Sequence, residues 1–282
     1  MDDWRSAEEM YDAVKASYII PKAFEKWEDY RKQLTDEIID YTEPGKSIAI
    51  IGVGESNDID LSRLYEHSGN LGFFDIDVES MERAVEKYGL REKSGISINE
   101  CDLFGVTRDE YIDLIDKSMI KISRSSGMAD FSILSGYMNS IFDHVNSKDV
   151  DISREKYDCT VVVGVHSQIV SFLSRIWNNF VTIGIVSDLS IIDKMIRLNE
   201  TQIPKVNDAV LRMTKEKLIV GVEMYNTRLG KNSTIQGAVQ CNHDLNSRIN
   251  GNELILDGSF EKNWPLSDEK EYRMLFYKMR KA

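Results

Sequence analysis

Ser47-Ile-Ala-Ile-Ile-Gly-Val-Gly-Glu-Ser-Asn57 and, shortly after it, Leu71-Gly-Phe-Phe-Asp-Ile-Asp-Val78 decide the fold of this chain. An apolar run, a glycine pair and a second apolar run ending in acid describe a strand, a tight turn toward a helix, and a neighbouring parallel strand whose tip carries a carboxylate. That layout is a nucleotide-binding crevice. Gly52 and Gly54 free the turn of side chains, so a ligand can press on backbone N–H groups at the mouth of the following helix. Asp75, about twenty residues on, stands where a carboxylate accepts from the two hydroxyls of a ribose.

The rest of the chain agrees with a globular protein built around such a crevice. Its 282 residues, 42% of them hydrophobic, suffice for one full core with length left for an appended element. With 35 basic and 47 acidic residues the net charge is −12, which argues against a protein that grips phosphate backbones. Cys101, Cys159 and Cys241 are few, odd in number and far apart, a pattern of a reducing compartment with neither a disulfide framework nor a metal site. The acidic start Met1-Asp-Asp-Trp4 is unlike a secretory signal, and no apolar run reaches membrane-spanning length, so a cytoplasmic protein without membrane partners is expected.

Read in order, residues 1–45 are helical, with Tyr11, Val14 and Tyr18 on one face and Phe24, Trp27, Leu34 and Ile38 repeating at helical spacing after Pro21. The aromatic stripe must pack on the remainder of the chain, as a brace or as a lid over a substrate; it could also pair two copies into a homodimer. A helix from Asn57 or Asp58 to Tyr65, capped by Ser56 or Asn57, should follow the glycine turn. Another should run from Asp77 to Tyr88 and stop at Gly89. The stretch Ile96 to Phe104 reads as a short third strand ending in Asp102. The stretch from about 104 to 156 carries two helical patterns broken at Ser123 to Gly127, an insertion that either helps enclose a substrate or forms an extra layer. Val161 to Val163 suits a strand buried on both faces. Lys217 to Tyr225 is a fifth strand, Glu253 to Leu256 and Glu271 to Met279 the last two, with Trp264-Pro265 in the loop between them.

The string Ile48 to Leu64 with Leu71 to Ala84, and above all Phe74-Asp-Ile-Asp-Val-Glu-Ser-Met-Glu-Arg-Ala84, resembles the first two motifs of the class I S-adenosylmethionine-dependent methyltransferases. Tyr157-Asp-Cys-Thr-Val-Val-Val-Gly-Val-His-Ser-Gln-Ile169 is similar to the fourth-strand motif of the same family. The resemblance implies a Rossmann-like α/β fold: a mostly parallel seven-stranded sheet with an antiparallel last strand, helices on both faces, and here an N-terminal helical extension at 1–45 ahead of the 46–282 domain. It also implies S-adenosyl-L-methionine as cofactor. Gly52, Gly54 and Glu55 would face its methionine part, Asp75 its ribose and Ile76 its adenine. Asp102 and Leu103 match the positions that meet the adenine amino group and a ring nitrogen, and Gly164 the turn beside the reactive sulfonium. No metal is implied.

His166, at the end of that fourth strand, is the titratable group best placed to take a proton from an acceptor near neutral pH, the alternative being an imidazole hydrogen-bonded in a loop. The expected activity is methyl transfer to an O, N or C nucleophile of a small molecule. Ile50 and Ser56 stand where the family usually carries an acid and a third glycine, which supports a second reading as an inactive S-adenosylmethionine or S-adenosylhomocysteine-binding module. A third, an NAD-dependent oxidoreductase, is disfavoured by Asn57, because dinucleotide binders need glycine where helix and strand touch.

Overall fold

In the computed structural model, residues 6–124, 131–182, 189–231 and 235–282 are described. The elements follow in the order α1 (Ala7–Ala16), α2 (Ala23–Lys26), α3 (Glu28–Tyr41), β1 (Ile48–Ile51), α4 (Leu61–Ser68), β2 (Leu71–Asp75), α5 (Val78–Lys87), β3 (Ile96–Glu100), α6 (Arg108–Arg124), α7 (Phe131–Ser147), β4 (Tyr157–Val163), α8 (Ser171–Thr182), α9 (Leu189–Met213), β5 (Thr214–Asn226), α10 (Gln236–Asn250), β6 (Leu254–Trp264) and β7 (Tyr272–Lys281).

All seven strands form one sheet in the order β3-β2-β1-β4-β5-β7-β6. β1 pairs in parallel with β2 and β4, and β7 alone runs against its neighbours. This is a Rossmann-like architecture, with the antiparallel strand slotted between β5 and β6. The order reverses on either side of β1, and the carboxyl ends of β1 and β4 therefore border the crevice where such sheets take ligands.

Alternate residues of β1 serve two cores. Ala49 and Ile51 belong to the cluster shared by α1 and α6–α10, whereas Ile48 and Ile50 belong to the one under α3, α4 and α5. A strand covered on both faces must be apolar throughout, and all four β1 residues are buried. The N-terminal segment straddles the sheet. Met10 and Val14 of α1 enter the first core, while Tyr30, Leu34 and Ile38 of α3 enter the second. Leu34 and Ile38, both 0% exposed, contribute about 1.5–3 kcal/mol each by leaving water.

Several boundaries differ from the sequence reading. The helix after the glycine turn begins at Leu61, not at Asn57 or Asp58. Ser56 adopts φ +48 and its hydroxyl donates to the Ile59 carbonyl (2.8 Å), which holds residues 56–59 in a tight loop. The cap passes to Asp60, whose Oδ1 accepts from Ser62 N (3.1 Å) and Arg63 N (3.2 Å). β6 extends to Trp264, well beyond Leu256. As an edge strand it buries only Leu254 fully, and its polar sequence conceals it. Trp264 consequently ends a strand instead of lying in the loop. Of the break expected at Ser123 to Gly127, Ser123 and Arg124 continue α6 and the remainder lies outside the described residues.

Close approaches of backbone fix the layers. A Cβ at Gly237, in the first turn of α10, would stand 2.0 Å from the His166 carbonyl oxygen. The obstacle is main chain and cannot rotate aside. Gly237→Ala should lower the free energy of unfolding by about 1–3 kcal/mol, the range of overpacking, as read by urea denaturation. An unchanged midpoint would show that α10 slides without cost.

Candidate functional site

The crevice starts with backbone. Gly52 takes φ +77 and donates its N–H to the Phe74 carbonyl (2.7 Å), and a Cβ here would stand 2.3 Å from Val165 Cγ2. Only glycine combines that conformation with that contact. Gly54, at φ +48, faces open space within 4 Å of its missing Cβ. Its N–H donates to Asp75 Oδ2 at 2.8 Å, and Asp75 Oδ1 accepts from Asp77 N at 2.9 Å. The carboxylate thus bridges the turn after β1 and the start of α5. Burial raises the Asp75 pKa, with the backbone donors at Asp77 and Gly54 opposing the rise.

Beside it Ile76 is 56% exposed, a large apolar surface facing water next to a polar clasp. Asp102, in the loop after β3, uses Oδ1 to accept from Phe104 N (2.8 Å) and Gly105 N (2.7 Å). Leu103 is half-buried against the first core. The Cys101 amide donates to the Asp75 carbonyl at 2.9 Å, which draws the Asp102 loop to the tip of β2. Burial pushes the Cys101 thiol up to about 12, too high for a reactive thiolate.

At the end of β4, Gly164 takes φ +65 and donates to the Gly221 carbonyl (3.0 Å). Glu55 turns outward, its Oε1 paired with Arg83 Nε at 2.9 Å. The structure therefore gathers Gly52, Gly54, Asp75, Ile76, Asp102 and Leu103 at the ends of β1, β2 and β3, with Gly164 across the switch point, and draws the Glu55 side chain away toward α5. The helix mouth expected at the glycine turn is also displaced, since α4 starts only at Leu61 and caps itself through Asp60.

His166 is not at the mouth of the crevice. It is 1% exposed, and its Nε2 lies 2.8 Å from Asn207 Oδ1 in α9. Asn207 in turn donates to Asp244 of α10 (2.8 Å). Burial lowers the imidazole pKa to about 4 against the smaller raising effects of Asn207 and Asp244. A neutral ring sealed between helices has no route to an acceptor's proton, and the expectation that it acts as base is corrected on that ground.

A second polar group lies outside every motif of the sequence. Glu223 on β5 is 4% exposed, accepts from Ser167 Oγ at 2.7 Å, and has its pKa raised by burial. Asp58, in the loop before α4, is pushed up to about 6, mainly by burial. Tyr30 of α3 and Trp264 of β6 lie with their rings 6.2 Å apart. The available signal was a lone carboxylate inside the apolar run Leu218-Ile-Val-Gly-Val-Glu223. Buried strands rarely carry an unpaired acid.

Compared by sequence, the chain matches no protein-family model and no curated protein. Among solved structures it is similar to N-methyltransferase NodS from Bradyrhizobium japonicum WM9 in complex with S-adenosyl-L-homocysteine, at 13% identity and TM-score 0.48 over 96% of this chain and 98% of that one. It is also similar to magnesium protoporphyrin IX methyltransferase ChlM from Synechocystis PCC 6803 with bound S-adenosylmethionine, at 9% identity and TM-score 0.48 over the whole of both chains. A third similarity is to the tRNA methyltransferase TrmK of B. subtilis, at 12% identity and TM-score 0.40, over 88% of this chain and 65% of that one. These likenesses concern the path of the chain alone.

The imidazole yields a pH test. An unfolded histidine titrates at about 6.5, so between about pH 6.5 and about pH 4 the unfolded chain binds a proton that the folded one refuses. Stability must fall as pH drops through that window, by up to roughly 3 kcal/mol at 1.36 kcal/mol per pH unit. Urea titrations at pH 7 and pH 4.5 should show a smaller acid loss in His166→Gln than in the parent. Equal losses would place the proton elsewhere.

Proposed function

We propose that this protein is a methyltransferase that takes its methyl group from S-adenosyl-L-methionine and delivers it to an O, N or C nucleophile of a small molecule. One observation carries the reading: the Asp75 carboxylate clasped to the Gly54 N–H, flanked by open space at Gly54 and by the exposed Ile76. Those features suit a sugar, an amino-acid tail and an adenine ring respectively. Asp75 would accept from the ribose hydroxyls, Ile76 would cover the adenine, and Asp102 would accept from its amino group through the oxygen left over from its turn. Gly52 and Gly164 leave the switch point free of side chains. When bound, the cofactor supplies an activated methyl group on sulfur, so the chain's task is to hold the nucleophile about 3–3.5 Å from it and in line.

Exclusion of water falls to the N-terminal extension in this reading. Lys15 of α1 pairs with Asp77 at 3.2 Å, and Tyr18 lies 2.7 Å from Ser171 through its hydroxyl. Tyr11 packs on Tyr111 of α6 and on Phe172 of α8, at 6.2 and 5.1 Å between rings. α1 therefore spans the crevice edge from α5 to α8, as a lid would. The ion pair is half-exposed and contributes little by itself, so α1 is held chiefly by Met10 and Val14 in the first core. Amide exchange at residues 7–18 should slow when S-adenosylhomocysteine binds; unaltered exchange would return α1 to a bracing role.

An oxidoreductase using a dinucleotide is disfavoured on a further ground. A pyrophosphate needs a helix N-terminus at the glycine turn, and α4 begins only at Leu61, well past Gly54, with its first amides already capped by Asp60. Calorimetry should therefore detect S-adenosylmethionine and S-adenosylhomocysteine but not NAD. Asp75→Ala should raise the dissociation constant for S-adenosylhomocysteine about ten- to a hundredfold, the loss of charge-assisted bonds of about 1.5–3 kcal/mol. An unaltered constant in a variant that still melts cooperatively would remove Asp75 from the site.

A further inference from the structure

β5 carries a carboxylate deep in the protein that no cation among the described residues neutralises. Glu223 Oε1 accepts from the Ser167 hydroxyl, and Oε2 has no hydrogen-bond partner among the described residues. An unpaired buried acid is expensive, and the strand is built to keep it: the register between β5 and β7 shifts between Glu223 and Tyr225, the kind of irregularity that re-aims a side chain near a site.

Two more buried polar atoms lack partners among the described residues of the same cluster, the Tyr30 hydroxyl and Trp264 Nε1. Trp264 packs its ring 6.2 Å from Tyr30 in stacked orientation and 5.0 Å from Trp27 edge-on. A Cβ placed on Gly164 would lie 3.5 Å from Glu223 Oε1 and 3.9 Å from Trp264 Cζ3. The group thus adjoins the turn after β4, beside the switch point. Burial raises the Tyr30 phenol's pKa, and the Asp58 and Glu223 carboxylates push it the same way, Asp58 being itself faced by Lys87 and Arg31.

An anion entering this cluster would meet the Glu223 carboxyl, and a neutral alcohol would offer its unpartnered Oε2 no charged partner. A protonated amine satisfies both the charge and the vacant acceptor, and the aromatic faces beside it attract a cation further. We propose that Glu223, Tyr30 and Trp264 hold an amine with an aromatic or aliphatic body, and that this amine is the methyl acceptor. The acceptor role rests on the methyltransferase reading above; the amine site does not. For transfer, the ammonium passes one proton to Glu223 Oε2, the nitrogen lone pair forms the new C–N bond, and the S–C bond breaks with its electron pair left on sulfur.

The test uses phenethylamine, tryptamine and cadaverine against alcohols and carboxylates of matched skeleton, titrated into the full chain with and without S-adenosylhomocysteine and followed by calorimetry. At least one amine should bind about ten times more tightly than its alcohol and its carboxylate. Glu223→Gln should abolish that preference while altering S-adenosylhomocysteine affinity less than about threefold. Tyr30→Phe, which removes only the hydroxyl oxygen, should weaken the amine roughly three- to tenfold and serves where Glu223→Gln does not fold. Absence of binding by all three amines, equal binding of amine and alcohol, or an amine preference undiminished by either substitution overturns the proposal. Amine binding without S-adenosylhomocysteine binding would instead overturn the methyltransferase reading and leave the amine site standing.

Discussion

A hydrogen bond from the Gly54 amide to the Asp75 carboxylate, beside the one from Gly52 to the Phe74 carbonyl, ties the turn after β1 to the tip of β2. It requires β1 and β2 to run in parallel with Ile51 level with Phe74, because only that register brings the two ends together. It also requires glycine at 52, since the turn must pass under Val165 of the β4 loop. The crevice, its open floor at Gly54 and its apolar shoulder at Ile76 all follow from that geometry. Asp158 secures the other flank of β1 at its opposite end, accepting from Ser47 N (2.9 Å) and from Ser47 Oγ (2.7 Å).

Around this centre the chain distributes polarity unevenly. The middle strands are largely apolar on both faces, and two groups of buried polar side chains stand out, one in the loop after β4 with α9 and α10, the other around Glu223 near the end of β5. One set is linked: His166, Asn207, Asp244 and Arg248 form a continuous chain of contacts between the β4 loop, α9 and α10, with His166 Nδ1 left without a partner among the described residues. Such a network positions helices and stays chemically quiet. The other set, Glu223, Tyr30 and Trp264, is left short of partners among the described residues. Natural interiors pair their polar groups, and a buried carboxylate short of partners costs more than a neutral imidazole nitrogen in the same position. By its ordinary pKa the His166 imidazole would titrate near neutrality, and burial holds it neutral instead.

Much of the fold was legible because buried parallel strands announce themselves. β1, β2, β4 and β5 read as apolar runs, and the acid at the end of β2 is local to its strand. Edge strands are harder: β6 alternates charge with small residues and pairs on one side only, so its sequence reads as loop until β7 is beside it. The start of α4 was misplaced for a similar reason, since Ser56, Asn57, Asp58 and Asp60 are all good caps and only the left-handed turn at Ser56 decides among them.

Sequence alone determined the apolar runs of β1, β2, β4 and β5 and the glycines and acid that follow β1 and end β2, because those features depend on backbone conformation and on residues close in the chain. The seven-stranded sheet with its antiparallel strand was an expectation from the family resemblance that the strand pairing bears out. Tertiary structure decided that α1 and α3 lie on opposite faces, that His166 is sealed between helices, and that residues 30, 223 and 264 meet. Convergence of that kind depends on how layers pack, and the periodicity of a single segment carries no record of which distant side chain will be its neighbour.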